Sequence, residues 1–241
     1  ASSRVMQEGV MEITRNKKVS GGRIVAEMLA KEGVEKIFGI IDGTYLQLFA
    51  SCVDLGMNMV TPRHESIGMH MAGAYSRLSG KLGVCIASNG PGVANVLPGV
   101  AVENGEGHRV LLITSCRRPQ ICYPDRGGAY QSFDQVGVIG SMSKWSETVK
   151  SFDRLPEMVR KAFRKCYEGR PGVVHLDIPE NIINGTTDKP AVLEPHQYRR
   201  TAPISPSEVA GELAGSLRAE VVELKGRTLV LYRPEEETES P

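Results

Sequence analysis

The chain alternates short apolar runs with longer segments in which apolar residues recur at helical spacing. Helical spacing follows Ser20, a residue type that caps helix N-termini, and returns between Leu155 and Cys166. The apolar runs between these segments are strand-length and rich in β-branched residues. The pattern predicts strands at about residues 34–40, 57–61, 82–87, 109–114 and 173–178, and helices at about residues 20–33, 45–55, 65–79, 93–103 and 155–169.

This regular alternation of strands and helices decides the predicted fold class. Strands that are apolar throughout, rather than at every second position, are typical of parallel sheets covered on both faces. Right-handed crossovers between such strands produce a doubly wound layer. We therefore expect an α/β fold with a mainly parallel sheet, helices on both faces and a short C-terminal helix-strand extension.

Composition divides the chain into four parts. These are a polar N-terminal arm (1–17), the α/β domain (18–184), a linker rich in proline and polar residues (185–206) and a C-terminal extension (207–241). Within the extension, helical spacing covers residues 207–217, and an apolar run predicts a strand at 226–232. The acidic residues that follow are typical of disorder.

Overall composition argues against several classes of partner. The 241 residues are 41% hydrophobic and 24% charged with a formal net charge of +1, so no charge excess favours nucleic acid or a membrane surface. No apolar run reaches transmembrane length. Five cysteines lie scattered, and Cys116 and Cys122 match no zinc spacing, so no metal site is predicted. Structural thiols in the reducing cytoplasm are the simplest interpretation, with an organelle or peroxisome as the alternative.

Two segments carry the candidate chemistry. Arg63, His64 and Glu65 stand at the start of a predicted helix, so Glu65 places a carboxylate in its first turn. Acidic residues are common there because they interact favourably with the helix dipole, which is the structural alternative for Glu65. Further along, residues 88–95 (SNGPGVAN) form a glycine-punctuated turn from strand to helix. A phosphate cradle is a competing interpretation, but the turn lacks the lysine of GxxxxGKS/T and the spacing of GxGxxG.

Taken in order, the motifs of residues 18–184 resemble those of the N-terminal, pyrimidine-binding domain of thiamine diphosphate enzymes. The similar family contains acetolactate synthase, oxalyl-CoA decarboxylase and 2-hydroxyacyl-CoA lyase. Arg-His-Glu or Gly-Pro-Gly alone would be weak evidence, whereas the ordered series is specific. The matching pieces are GVEKIFG (33–39), RHE (63–65), AYSRLSGK (74–81), GVC (83–85), NGPGVAN (89–95), YQ (130–131), DQ (134–135), SKW (143–145) and GRPG (169–172).

The sequence departs from the family pattern at two places. Family members usually have Pro-Gly after the first strand, where this chain has Ile41, Asp42 and Gly43, so that only Gly43 keeps the turn. The YQS at 130–132 replaces the Phe-Gln-Glu common in acetolactate synthases. Together with the DQ at 134–135, this replacement is closer to the branch that acts on CoA thioesters.

The resemblance implies that the chain holds the aminopyrimidine end of thiamine diphosphate. Glu65 corresponds to the family's acid, which shares a proton with N1′ and so favours the imino form that receives the C2 proton. Gln131 corresponds to a residue near the substrate, with an ordinary polar loop residue as the alternative. For His64, a strand-end or interface position is as good an interpretation as a polarising role. The predicted site residues are Glu65 and Gln131 as catalytic, and Gly43, Glu65, Ser88, Asn89, Gly90, Pro91 and Asn95 as cofactor-binding.

The resemblance also implies components that this sequence does not contain. In the family, a separate C-terminal domain binds Mg²⁺ and the diphosphate through Gly-Asp-Gly and a later asparagine, and a middle domain carries FAD or a CoA nucleotide in some relatives. The segment at residues 41–43 does not supply the Gly-Asp-Gly motif. We expect a fragment or one subunit of a split enzyme, inactive alone, that needs a diphosphate-binding domain and a second subunit across a dimer interface.

The reaction expected of the complete assembly cleaves or forms a carbon–carbon bond next to a carbonyl. Its expected small-molecule substrates are 2-keto acids, 2-hydroxyacyl-CoA or oxalyl-CoA. The alternative is a non-catalytic remnant of a cofactor domain.

Residues 219–234 admit two interpretations. They resemble either the opening helix and strand of the family's middle domain or the last strand of a small RNA-binding module, the CRM or YhbY-like fold. Only the last segment of that module would be present, and its basic surface would be missing. Nucleic acid is therefore the less favoured partner.

Overall fold

The computed structural model describes residues 18–122 and 130–199, together with two strands at 220–224 and 227–231. The chain divides into two units after Arg199. The strands of the first unit are β1 (Lys18–Ser20), β2 (Lys36–Gly39), β3 (Asn58–Val60), β4 (Gly83–Ala87), β5 (Val110–Cys116), β6 (Trp145–Thr148), β7 (Val173–Pro179) and β8 (Thr186–Asp188). Its helices are α1 (Gly21–Lys31), α2 (Leu46–Asp54), α3 (Glu65–Ser79), α4 (Pro91–Gly105), α5 (Pro119–Cys122), α6 (Gln135–Gly140), α7 (Leu155–Tyr167) and α8 (Glu180–Ile183).

The first unit is built around a six-stranded sheet in the order β3-β2-β4-β5-β7-β6, in which all neighbouring strands are parallel. Alternate residues of each central strand face opposite layers of helices. Leu111 and Ile113 pack towards α1, α2, α7 and α8, whereas Val110 and Leu112 pack towards α3, α4 and α6. Helices on both faces of a parallel sheet confirm the predicted doubly wound α/β fold.

The helix boundaries follow from capping residues that the sequence shows. The Ser20 hydroxyl accepts a hydrogen bond from the Arg23 amide at 3.0 Å, as expected of an N-cap. His64 caps α3 in the same way, because its Nδ1 accepts the Ser66 amide at 3.3 Å. Gly80 ends α3 in the left-handed region, with φ of 73°. The predicted helix at residues 65–79 therefore has the predicted limits.

The residues after β7 differ from the predicted linker at 185–206. β8 pairs with β1 in an antiparallel ribbon, with Lys18 opposite Asp188. Further on, Arg199 forms a 2.6 Å ion pair with Glu32, whose side chain is fully buried. The Arg199 guanidinium also lies over the Tyr167 ring, 3.7 Å from its centroid. These contacts join positions far apart in sequence, so the local composition did not reveal that the chain packs on this unit up to Arg199.

The second unit contains an antiparallel pair, β9 (Glu220–Leu224) and β10 (Arg227–Leu231). β10 lies within the strand predicted at 226–232, but β9 was not predicted. The helix predicted at 207–217, the polar arm at 1–17 and the acidic end lie outside the described residues. Within the part of the chain that the structure describes, no helix is long and apolar enough to cross a membrane.

Candidate functional site

The predicted site lies at the carboxyl edge of the six-stranded sheet. Glu65 begins α3 after β3, and residues 88–95 lead from β4 into α4. The strand order reverses its direction between β2 and β4. Ligands of open α/β sheets bind outside the carboxyl ends of the strands at such a reversal, so the site occupies the position that the fold favours for binding.

Glu65 is buried, with 8% of the residue exposed. Its Oε2 accepts a hydrogen bond from Nδ2 of Asn95 at 3.1 Å. A Cβ on Gly92 would lie 2.4 Å from Oγ of Ser88 and 3.4 Å from Oε1 of Glu65, so the absent side chain lets the start of α4 approach both residues. Among the described residues, Asn95 is the only hydrogen-bond partner of this carboxylate. Oε1 of Glu65 is thus available to a ligand.

The turn between β4 and α4 requires glycine at position 90. Gly90 has φ of 66° and ψ of −112°, a conformation that residues with a side chain rarely adopt. A Cβ there would lie 2.6 Å from Cα of Gln131 and 2.9 Å from the Tyr130 carbonyl oxygen. Pro91 follows at the first position of α4, where its missing N–H breaks no helical hydrogen bond. The turn therefore packs directly against the loop that carries Gln131.

Asn89 is a buried polar residue without a partner inside the described chain. It is 1% exposed, and neither Oδ1 nor Nδ2 makes a hydrogen bond. A buried amide without partners costs free energy in the isolated chain, so native structures seldom contain one. Its place beside Gly90 makes it a residue whose partner is expected to be a ligand or bound water.

The structure joins most of the predicted site residues into one group. Glu65, Asn95, Ser88 and the Gly90 turn with Gln131 form one continuous group. Gly43 lines a cleft of about 560 Å³ on the loops that follow β2, β5 and β7, and the hydroxyl of the next residue, Thr44, lies 2.6 Å from Oγ of Ser115. The other lining residues are Asp42, Thr44, Arg117, Arg118, Glu180, Asn181 and Asn184. A Cβ on Gly43 would meet nothing within 4 Å, so no close contact within the described chain requires glycine there.

Gln135, which the sequence showed only as part of the DQ motif at 134–135, is a functional candidate that was not among the predicted site residues. It is 3% exposed, and its Oε1 accepts the Gly90 amide at 2.9 Å. Its Nε2 donates to the Ser115 carbonyl oxygen and to Oδ1 of Asp177, each at 3.0 Å. One side chain therefore ties the glycine turn to the ends of β5 and β7. The sequence signal that pointed towards this part of the site was the pair of polar residues, His175 and Asp177, at alternate positions of the otherwise apolar strand β7.

Behind Gln135, a buried polar network extends into the sheet. The Thr114 hydroxyl donates to Oδ1 of Asp177 at 2.6 Å and lies 2.7 Å from Nε2 of His175. On the other side of the ring, Nδ1 of His175 lies 2.7 Å from the Ser146 hydroxyl. Burial raises the pKa of Asp177 and lowers the pKa of His175 to about 3. The imidazole is therefore neutral at physiological pH, and the Thr114 hydroxyl lies between the ring and the Asp177 carboxylate.

Large apolar side chains are exposed on the elements that carry this site. They lie on α3, α4, α6 and the loop before α6: Ile67, Met71, Leu78, Val102, Tyr130, Phe133 and Val138. Tyr130, next to Gln131, is 76% exposed. Exposed apolar side chains in such number are typical of surfaces that contact another protein or domain. We refer to these seven residues as the apolar surface.

The fold and the site together define a ligand-binding α/β domain with a buried carboxylate at the edge of its sheet. Residues 19–138 match the family model of the thiamine pyrophosphate enzyme, N-terminal TPP binding domain. This part of the chain belongs to that family, which confirms the resemblance drawn from its motifs, and its cofactor is thiamine diphosphate.

Several curated proteins are similar to this chain over most of its length. The probable acetolactate synthase large subunit of Methanocaldococcus jannaschii is 31% identical over 170 residues, covering 70% of this chain and 28% of the relative. The mitochondrial acetolactate synthase catalytic subunit of Saccharomyces cerevisiae is 34% identical over 165 residues, 68% of this chain and 24% of the relative. The acetolactate synthase large subunit of Haemophilus influenzae is 32% identical over 183 residues, which cover 76% of this chain and 30% of the relative. The aligned part of the chain thus spans less than a third of each of these relatives.

Proposed function

We propose that this chain supplies the pyrimidine-binding half of an acetolactate synthase-like active site, with Glu65 exchanging a proton with N1′ of the cofactor. The observation that carries the proposal is the Glu65 carboxylate, buried beside the glycine turn with Oε1 available. Thiamine diphosphate supplies the carbon nucleophile of this chemistry when it is bound. Asn95 orients the carboxylate, and burial of Glu65 keeps competing water away from the transferred proton.

The residues present fit the aminopyrimidine edge of the cofactor. An aminopyrimidine presents both hydrogen-bond donors and acceptors, and Asn89 offers one of each without a partner in the chain. Glycines at positions 90 and 92 allow close approach of a flat ring to the backbone. Ser88, Pro91 and the Gly90 turn then form one wall of the site, next to Glu65.

The diphosphate end of the cofactor requires a second binding surface. Among residues 18–122 and 130–199, no cluster of three or more His, Cys, Asp or Glu side chains is arranged to hold a metal ion. We propose that a diphosphate-binding domain, in the same chain or a neighbouring one, holds Mg²⁺, and that FAD, where used, is bound by a middle domain. The similarity to much longer acetolactate synthases supports this arrangement.

The apolar surface supports a second subunit as the neighbour of this site. Ile67 and Met71 are 45% and 37% exposed on α3, the helix that Glu65 begins, and Val102 is 49% exposed on α4. Covering these side chains would remove apolar area from water and would close the site from one side. We propose that a second copy of the enzyme covers them across a dimer interface.

The proposed reaction makes or breaks a carbon–carbon bond next to the carbonyl of a 2-keto acid. The names of the relatives support this substrate class. Gln131, which packs against Gly90 beside Glu65, is the proposed contact to the substrate. The CoA-thioester branch indicated by residues 130–135 stays a prediction, and parallel assays with pyruvate and oxalyl-CoA on the assembled enzyme separate the two. The cytoplasmic location also stays a prediction, since the yeast relative is named as mitochondrial.

A titration of the chain with thiamine diphosphate tests the proposal directly. We expect weak, saturable binding, followed by NMR shifts of the Gly90 and Gly92 amides and unchanged by Mg²⁺, because the residues that the structure describes hold no group of side chains arranged to bind a metal ion. Glu65→Gln should alter the protonation of the bound pyrimidine, seen in its ¹⁵N shift, more than the affinity. Glu106→Gln, on the exposed end of α4, is the matched control. Absence of saturable binding would contradict the proposal.

Catalysis is tested by adding a diphosphate-binding domain to the chain. The chain alone should not turn over pyruvate, since only one end of the cofactor is held. Mixing the chain with a diphosphate-binding domain and Mg²⁺ should produce turnover and exchange of the C2 proton with solvent. Wild-type exchange in a reconstituted Glu65→Gln enzyme would remove Glu65 from its proposed role.

A further inference from the structure

The Gln135 side chain makes three hydrogen bonds that join separate parts of the site. Its amide accepts from the backbone of Gly90 and donates to Ser115 and to Asp177, at 2.9, 3.0 and 3.0 Å. Gln135 is the first residue of α6, whose N-cap Asp134 accepts the Gly137 amide at 2.9 Å. Both ends of the amide are therefore fixed, and the backbone that carries it is fixed as well.

This arrangement determines where the Gly90 turn lies. The Gly90 conformation is unfavourable for most residues, and its N–H lies outside the hydrogen bonds of β4 and α4. Without the Gln135 acceptor, that buried N–H would lose its partner. Asn89 and Gln131 contact or adjoin this glycine, so a shift of the turn moves both of them.

We infer that Gln135 is a positioning residue for cofactor binding: its amide fixes the Gly90 turn against the sheet, and thereby places Asn89 and Ser88 for contact with the aminopyrimidine. The inference rests on the proposed function. The amide orientation follows from its partners, because Asp177 accepts from Thr114 as well and the Gly90 amide only donates. No other orientation of the Gln135 amide satisfies all three neighbours.

The test compares two substitutions at position 135 with a control. Gln135→Met keeps the length of the side chain but loses all three hydrogen bonds. Gln135→Glu keeps an acceptor for Gly90 and faces the Asp177 carboxylate. Gln47→Met, on the exposed side of α2, is the control for losing a glutamine. Binding of thiamine diphosphate is measured by NMR titration, and hydrogen exchange of the Gly90 amide and the melting temperature are measured without ligand.

We expect Gln135→Met to weaken thiamine diphosphate binding at least tenfold and to accelerate exchange at Gly90, with the control unchanged. Gln135→Glu should bind within threefold of wild type at pH 5.5, where the new carboxyl is protonated and donates to Asp177. At pH 8 its affinity should fall at least tenfold further than that of wild type, because two facing carboxylates repel each other. The titratable groups near this position on the packed elements are Asp177 and His175 on β7 and Cys116 on β5.

The outcomes separate this inference from the proposed function. If wild type binds no thiamine diphosphate, the proposed function fails. If wild type binds and Gln135→Met binds within twofold of it, the positioning role is refuted. This holds whether or not hydrogen exchange of the Gly90 amide is faster in the variant. If Gln135→Met is too unstable to fold, the Gln135→Glu variant decides. The inference is overturned if the affinity of Gln135→Glu for thiamine diphosphate has the same pH dependence as that of wild type.

Discussion

The carboxylate of Glu103 on α4 occupies the space that a side chain at Gly73 on α3 would need. A Cβ on Gly73 would lie 1.6 Å from Oε2 of Glu103. This carboxylate is almost fully buried, with Oε1 2.7 Å from Nδ1 of His70 and Oε2 2.5 Å from Nδ1 of His108. The missing side chain of one helix therefore makes room for a buried polar contact that joins the helix beginning with Glu65 to the helix of the glycine turn.

The first prediction concerns this pair. Gly73→Ala should destabilise the chain by about 2 to 3 kcal/mol, because the methyl group displaces a carboxylate held by two imidazoles. In a Glu103→Ala background the same substitution should cost much less, since the space is then empty. Urea unfolding of the four variants measures this coupling.

Gly105→Ala on α4 is the control, because a Cβ there meets no atom within 4 Å. Alanine also has the higher helix propensity, so this variant should be neutral or slightly more stable. Equal costs of Gly73→Ala in both backgrounds would show that Glu103 does not fill the space at Gly73.

The second prediction is a pH dependence of stability set by His175. Burial lowers its pKa to about 3 in the folded chain, against 6.5 as the ordinary value. Between these values the unfolded chain binds the proton and the folded chain does not, so stability falls as the pH drops from 6.5 towards 3. The slope from this residue is at most about 1.4 kcal/mol per pH unit. Urea unfolding at pH 7.5, 6.0 and 5.0 measures it.

His175→Gln removes this contribution and should flatten the decline below pH 6.5. Asp177 acts in the opposite sense, because burial raises its pKa and its folded form holds a proton more tightly than the unfolded chain. The difference between wild type and His175→Gln isolates the histidine. Parallel pH profiles for the two proteins would show that the imidazole does not resist protonation.

The third prediction uses two glycines with positive φ. Gly90→Ala places a methyl group 2.6 Å from the Gln131 backbone, whereas Gly56, with φ of 79°, has open space around it. Gly56→Ala should cost about 1 to 2 kcal/mol for its backbone conformation alone. Gly90→Ala should cost about 3 kcal/mol or more and abolish thiamine diphosphate binding. Thermal melting and NMR titration measure both effects, and intact binding in Gly90→Ala would contradict the described turn.

The fourth prediction is that a substitution of Asn89 changes the stability of the chain and its cofactor binding in opposite directions. Asn89→Leu removes two buried polar atoms without partners and should stabilise the ligand-free chain by about 1 kcal/mol, while thiamine diphosphate binding falls at least tenfold. Asn104→Leu is the matched control, because Oδ1 of Asn104 accepts the Val173 amide at 3.1 Å. That variant should lose about 1 to 2 kcal/mol. Destabilisation by Asn89→Leu would indicate that its amide already has a partner.

The predictable part of the fold was the part with local signals. The start of α1 followed from the capping residue Ser20, the end of α3 from Gly80, and the central strands from their apolar runs. β6 and β8 were missed because they are short and polar, and their stability comes from pairing with β7 and β1. The contact of Arg199 with Glu32 joins positions 167 residues apart, which no local pattern reveals.

The candidate site also has a part that the sequence predicts and a part that it does not. The grouping of Glu65, Ser88, Gly90 and Asn95 was expected from the resemblance to thiamine diphosphate enzymes, and the structure brings these residues together. Gln135 was missed because its importance depends on three partners from different elements. Their distances are set only when the sheet has formed, so residue type and spacing do not indicate them.

The antiparallel ribbon of β1 and β8 has a consequence for how this unit relates to its neighbours. Lys18 and Asp188 are paired across the ribbon, so the start of the unit lies beside the end of β8, from which residues 189–199 continue over the same unit. A segment fused before Lys18 therefore emerges beside Asp188. A circular permutation of this unit with new ends near Gly56 must keep residues 189–199, because they supply Arg199 to the buried Glu32 side chain.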